Sequence, residues 1–312
     1  MSGSPAAQPV AVSELSATIA RLAETASFEM SVREAEDLER TGPVLPPGTE
    51  VTITWLPKDE TGGRVATVAR LRALGLEPVP HLAARYLASE QDLGDLLARL
   101  RGEADVRKVF VIAGDLSEPR GAFGSALDLL KSEAFARSGI KAWGVASYPE
   151  GHPKIADELL AQAFRDKLEW AAQSGAEVFA VTQLCFDAPP ILQHLARLRR
   201  QGHDLPIRVG LAGPASLTTL MKFAARCGVG ASARAIASRG ASLARLIVEA
   251  GPDPVIRDLA TTLGSESEPV GLHFFPFGGF ARTVRWVRAV AEGRFKIPSS
   301  ASGFQLILPA EG

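Results

Sequence analysis

Eight short apolar runs, each closed by a turn and followed by a helical pattern, recur along this chain, and that recurrence restricts its fold more than any other feature. The strand-like runs are Ser27–Val32, Glu50–Leu56, Glu77–Leu82, Lys108–Asp115, Ala142–Tyr148, Glu177–Phe186, Ile207–Ala212 and Val270–Phe277. Helical spacing lies between them at Arg64–Leu74, Leu93–Leu100, Ala126–Phe135, Ile155–Gln173, Pro190–Gln201, Leu217–Arg226 and roughly Ala241–Leu263, with a last helix at Phe280–Ala291. Eight such units in 312 residues are the signature of a single (β/α)8 TIM barrel. A doubly wound open sheet is the competitor, and its Gly-x-Gly-x-x-Gly fingerprint after an early strand is missing. Leu15, Ile19 and Leu22 add an extra N-terminal helix over Val12–Glu24, with Ser13 as its N-cap. Residues 1–10 are small, polar and proline-containing and read as a disordered N-terminus, which leaves 11–312 as one barrel domain. The Gly228–Gly240 stretch, rich in Gly, Ala, Ser and Arg, reads as a loop over the barrel mouth or as a solvated linker.

Composition excludes several classes of function. A hydrophobic share of 46% suits one large core, and a formal net charge of −1 supplies no field to recruit nucleic acid or an anionic membrane. Cys185 and Cys227 are the only cysteines, too few for a disulfide framework or a cysteine metal site, and they suit a reducing compartment. No apolar run is long enough to span a bilayer and no secretory signal is visible, so a cytoplasmic protein is expected. A homo-oligomer is compatible with these data. His81 and His152 sit on separate strands, His194 and His203 flank a helix and read as surface, and His273 reads as core; none belongs to a metal motif. No Gly-x-Ser-x-Gly elbow or phosphate loop occurs.

Catalytic groups of such barrels come from the C-terminal ends of the strands. The polar residues there are Glu29, Thr54, His81, Asp115, Tyr148, His152 and Gln183. Tyr148 and His152 leave the fifth strand in Ala146–Pro153, a turn stiffened by Pro149 and Pro153. Glu29 lies inside a strand buried on both faces, so it is either paired with a cation or used in chemistry. Alternation puts Gln183 with Val181, and its amide could read a heterocycle edge or be satisfied by backbone in the core. An acid, a second acid, an amide, a tyrosine and two histidines suit a bound cofactor with proton delivery better than a protein nucleophile.

These residues resemble the flavin-dependent 5,10-methylenetetrahydrofolate reductase family. Ser27-Phe28-Glu29, Pro80-His81-Leu82, Gly114-Asp115-Leu116, Tyr148-Pro149-Glu150-Gly151-His152-Pro153, Thr182-Gln183 and Phe186-Asp187 occur in family order. The resemblance implies a barrel holding FAD, reduced by NADH or NADPH, which passes its hydride to the folate in a ping-pong cycle. It makes Glu29 the general acid, Asp115 an acid near flavin and pterin, and Gln183 the pterin-binding amide. It makes Thr54, His81, Gly114, Asp115, Tyr148, His152 and Lys167 cofactor contacts. Two departures stand out. Ala113 replaces an arginine that contacts FAD, with Arg120, Arg165 or Lys167 left to compensate, and Leu217 replaces a phenylalanine that stacks on nicotinamide and folate. A non-catalytic folate- or flavin-binding relative serving a methyl-transfer partner stays open, as does direct hydride transfer without tightly held flavin. Glu29 together with Gln183 favours an enzyme, because binding alone needs no general acid.

Overall fold

The computed structural model describes residues 12–229, 249–264, 269–299 and 302–307. The N-terminal ten residues and nearly all of the Gly228–Gly240 segment lie outside the described residues. Eight parallel strands close into a barrel: β1 Ser27–Met30, β2 Glu50–Ile53, β3 Glu77–Ala83, β4 Lys108–Ile112, β5 Ala142–Ser147, β6 Glu177–Thr182, β7 Ile207–Ala212 and β8 Val270–Phe275. Closure is made where β1 pairs with β8 in the register Ser27 to His273 and Phe28 to Phe274. The (β/α)8 expectation holds. The extra helix Val12–Glu24 packs on Phe280–Ala291 and Asp253–Leu263, with Ser13 in its first turn instead of capping it.

Most strands end earlier than the apolar runs suggest, although single backbone bonds continue past some ends, as from Thr54 to Met30 and from Gln183 to Ser147. Two helices also differ from their patterns. Ser132 splits Ala126–Phe135: its extended backbone ends one helix, and its hydroxyl accepts the Phe135 amide to start the next. The pattern at Ala241–Leu263 does not form one helix, since Glu249–Ala250 pairs with Ala215–Ser216 and the helix begins at Asp253, after Pro252.

Alternation along the strands sorts the core into two parts. Phe28, Met30, Val51, Ile53, Val109, Val111, Trp143, Val145, Val209 and Phe274 join the shell between barrel and helices. Inside the barrel, Val79, Phe110, Phe179 and Val181 form a separate apolar cluster. Gly144 makes room for it: a Cβ there would stand 2.3 Å from the Phe110 ring and 2.6 Å from that of Phe179.

The base of the barrel is closed by charge. Glu50 on β2 pairs with Arg208 on β7 and, at 2.8 Å, with Lys108 on β4, and the Arg208 guanidinium lies 4.6 Å from the Phe179 ring centre. Burial alone would raise the Glu50 carboxyl; Arg208 and then Lys108 more than offset that and hold it below its usual range. Its stabilising contribution is therefore complete above about pH 4.5 and is lost as pH falls through the depressed folded value. Glu50→Ala strands two cations and should lower the unfolding free energy in urea by about 3–5 kcal/mol at neutral pH. The difference from the parent should shrink as pH falls below that window.

Candidate active site

Strand β1 carries Glu29 toward the mouth while Phe28 and Met30 anchor the outer face. Its Oε2 stands 3.7 Å from His81 Nε2 on β3, with side-chain exposures of 19% and 10%. Burial, reinforced by the nearby charge of Glu34, raises the Glu29 carboxyl to about 8. Burial, with help from Arg64, lowers His81 to about 3. Between these values both groups are neutral, so the close approach is not an ion pair. Among the described residues Glu29 has no cation paired to it, and of the two readings of a buried strand acid, chemistry gains.

His81 is held from two sides. Its ring lies 4.9 Å from that of Phe110, and its carbonyl accepts a 2.6 Å bond from Arg64 Nη2. Arg64 is itself 1% exposed, with its guanidinium 4.0 Å from the Trp55 ring centre. Burial lowers Arg64 to about 10. Sequence reasoning missed Arg64 and Trp55, although Arg64 shares a helical stripe with Val68 and Leu71, where a charge is out of place.

The other predicted site residues follow strand ends at the same mouth, except Lys167, which sits midway along the helix Asp157–Ser174. Gly114, with φ +91, turns the chain after β4 so that Asp115 can accept a short bond from the Tyr86 hydroxyl. Burial first, and that bond second, raise Tyr86 to about 12. The Tyr86 ring meets Trp55 edge-on at 5.8 Å. Thr54 turns its hydroxyl to the Met30 carbonyl at 3.4 Å. Tyr148 and His152 meet edge to face at 5.5 Å, and His152 Nδ1 accepts the Lys154 amide. Burial raises Tyr148, and burial with Lys154 lowers His152. Lys167 donates to the Ala163 carbonyl at 2.5 Å, and burial lowers it to about 8.

Gln183 shares the inward parity of Phe179 and Val181, and its Oε1 accepts the Leu184 amide at 2.8 Å. That fixes the oxygen and turns the amide nitrogen to other partners. Leu217 begins a helix, Leu217–Cys227, capped by Ser216 and ended by Gly228 at φ +70. The helix packs on Leu184, Phe186, Phe275 and Phe277, and Phe223 stacks on Phe277 at 3.7 Å. It thus covers the ends of β6 and β8. His194, expected on the surface, is 6% exposed: Ser147 Oγ and His194 Nε2 are 2.5 Å apart, and Arg197 donates to Nδ1. His203 is partly covered by Phe164, and His273 is buried as expected. Among the described residues no cluster could hold a metal ion, and no helix is long and apolar enough to cross a membrane.

An acid, an amide and a histidine on different strands thus stand at the C-terminal mouth of a parallel barrel, the face on which such barrels carry their sites. The profile of the methylenetetrahydrofolate reductase family matches residues 29–237, and the chain belongs to that family. In three dimensions it is similar to an uncharacterized protein from Clostridium thermocellum that binds two copies of 5-methyl-5,6,7,8-tetrahydrofolic acid. The two share 12% identity with a TM-score of 0.56, over 87% of this chain and 96% of that one. Dihydropteroate synthase from Thermus thermophilus matches with 14% identity and a TM-score of 0.44, over 86% and 92% of the two chains.

The positions that the family resemblance gives to FAD fit it poorly. The carboxylate of Asp115 is taken by Tyr86, and the Tyr86 ring fills the space beside Gly114, 3.3 Å from where a Cβ would stand. Ala113 brings no donor for a phosphate. Arg120, a candidate to compensate, lies 5.9 Å from the Tyr86 ring centre, while Arg165 bonds Gln162 and Lys167 bonds backbone.

Glu29 also makes a prediction for stability. A carboxyl raised by folding binds its proton more tightly in the native state, so stability falls as pH rises from about 4.5 to about 8. Glu29→Gln removes that loss. It should be more stable than the parent at pH 8 by about 1–3 kcal/mol after solvent screening of the partly exposed group, and level with it near pH 4, in denaturant titrations.

Proposed function

We propose that this chain reduces 5,10-methylenetetrahydrofolate to 5-methyltetrahydrofolate with NADH or NADPH, and that Glu29 is the general acid. The observation that carries this is the Glu29 carboxyl, held protonated to about 8 at the barrel mouth. The five-membered ring of the substrate must open before the one-carbon unit can accept a hydride. Opening breaks the bond from the methylene carbon to N10, and a proton from Glu29 lets that nitrogen leave as a neutral amine. The electron pair on N5 then forms an iminium, whose carbon accepts the hydride. One proton and one hydride are consumed in each turnover.

Gln183 is assigned to the pterin edge through its amide nitrogen, since its oxygen is already engaged. Leu217 and the Phe223–Phe277 pair lie on the same side of the mouth and offer apolar surface to bound rings. The poor seat for FAD favours direct transfer from the nicotinamide to the methylene carbon in a ternary complex. The flavin-borne ping-pong route is the alternative, and a binding-only role would leave the neutral acid without a task.

Two measurements separate these readings. Initial rates at varied NADH and folate should give intersecting double-reciprocal lines, with no flavin band in the visible spectrum of the active protein. Parallel lines from a yellow protein would establish the flavin route instead, and failure to oxidise NADH in the presence of folate would leave only binding. Glu29→Gln should lower turnover by about 10²–10⁴-fold while still binding both substrates.

Gln183→Leu leaves a polar ligand edge unpaired at a cost of about 1–3 kcal/mol, which raises the folate KM roughly 5- to 150-fold. The KM for NADH should stay near the parent value. A parallel rise in both would assign Gln183 to the support of β6 alone.

A further inference from the structure

The helix that follows β6, Ala188–Arg200, buries an apolar stripe of Ile191, Leu195 and Leu198, and His194 interrupts it. The Nε2 of this buried histidine stands 2.5 Å from Ser147 Oγ, and its Nδ1 stands 2.6 Å from Arg197 Nη2. A guanidinium can only donate, so Nδ1 accepts and the ring proton lies on Nε2, which donates it to Ser147. Burial, and then Arg197, lowers His194 to about 4, so this neutral tautomer holds at neutral pH. Ser147 is the last residue of β5 and continues the outward parity of Trp143 and Val145, where packing alone calls for an apolar side chain. Its carbonyl accepts the Gln183 amide N–H at 2.7 Å. Gln183 is the first residue past the end of β6, and its carbonyl is held as well. Thr182 Oγ1 donates to that carbonyl at 3.0 Å while accepting the Gly210 amide at 2.8 Å. From Arg197 through His194 and Ser147 to the backbone of Gln183, every contact is a direct hydrogen bond.

We propose that His194 and Ser147 are positioning residues for the folate: from outside the barrel they fix the strand end that aims the Gln183 amide at the pterin edge. This rests on the assignment of Gln183 to that edge. The side-chain oxygen of Gln183 is engaged by the Leu184 amide, so the direction of its nitrogen follows from where the Gln183 backbone stands. That backbone lies past the end of β6 and is held by separate bonds, of which the one to Ser147 is the shorter. An apolar pair between β5 and the helix would fill the same space, but burial of apolar surface has no preferred direction and would let the strand end shift. A hydrogen bond does have one. Arg197 completes the device, because its donation to Nδ1 selects the tautomer that donates to Ser147.

The test is the dissociation constant of 5-methyltetrahydrofolate, the product of the proposed reaction, measured by titration calorimetry on the whole protein. Ser147→Ala and His194→Phe should each weaken binding about fivefold, the equivalent of one hydrogen bond. His194→Gln keeps a donor near the place of Nε2 and should bind close to the parent value. The decisive readout is a double-mutant cycle with Gln183→Leu. With the amide gone there is nothing left to aim, so Ser147→Ala and His194→Phe should then weaken binding no further. A merely structural role would weaken it by the same factor in either background. Ser147→Ala removes a single oxygen and carries the cycle by itself if His194→Phe does not fold. The positioning role is overturned if Ser147→Ala keeps the parent affinity, or if its loss persists undiminished beside Gln183→Leu. The underlying reading fails in a different way: a Gln183→Leu variant that binds the folate as tightly as the parent ends the pterin assignment, and the positioning role with it.

Discussion

The withdrawal of one carboxyl group from most of its water is the condition on which the mouth of this barrel is built. Glu29 keeps its proton to about 8 because the outer face of β1 is buried in the helix shell and its inner face meets a neutral histidine. A cation in the place of His81 would reverse the sign and ionise the acid at any working pH. Arg64 is the nearby cation, and its position keeps it harmless: the guanidinium donates to the far side of His81, to its carbonyl, and lies along Trp55. The charge that holds the histidine in place also discourages its protonation. Fold, burial and acidity are thus one arrangement.

Much of this was legible in the sequence, for identifiable reasons. The barrel showed because each parallel strand is buried on both faces and reads as an apolar run between helical stripes. Ile207–Ala212 and Phe280–Ala291 have the bounds their patterns suggest. Strand ends were overestimated, since apolar residues such as Phe186 and Phe277 continue the pattern but serve the cover over the mouth. Ser132 was a cap inside an uninterrupted stripe, and periodicity does not register caps. Glu29, His81, Asp115, Tyr148, His152 and Gln183 came from position at strand ends. Their relations did not. That Tyr86 would bind Asp115, or that His194 would be drawn inward between Ser147 and Arg197, depends on contacts between segments that no local pattern encodes.

The wall formed by Trp55 and Tyr86 has a similar origin. Both lie just past the ends of strands, and in sequence Trp55 reads as the tail of the Glu50–Leu56 run and Tyr86 belongs to no pattern. Side by side, with a buried arginine on one and Asp115 bonded to the other, they give the rim beside β2 to β4 a fixed aromatic surface. Asp115 and Gly114, which the resemblance assigns to FAD, lie against that surface. The aromatic share of the composition is low, yet rings concentrate at this rim and at the Phe223–Phe277 stack across from it.

The ion cluster at the base constrains how such a sequence can change over time. Glu50, Lys108 and Arg208 stand on three strands separated by long stretches of chain, and each is the reason the others tolerate their surroundings. Loss of the acid alone leaves two stranded cations; loss of one cation alone leaves the acid half-compensated in a confined space. An apolar plug of equal volume would serve as well, but the single steps that lead to it all pass through poorly tolerated intermediates. The base of the barrel is therefore a historical lock, drifting only when substitutions arrive together, while the rim above it remains free to trade one ring or one donor at a time.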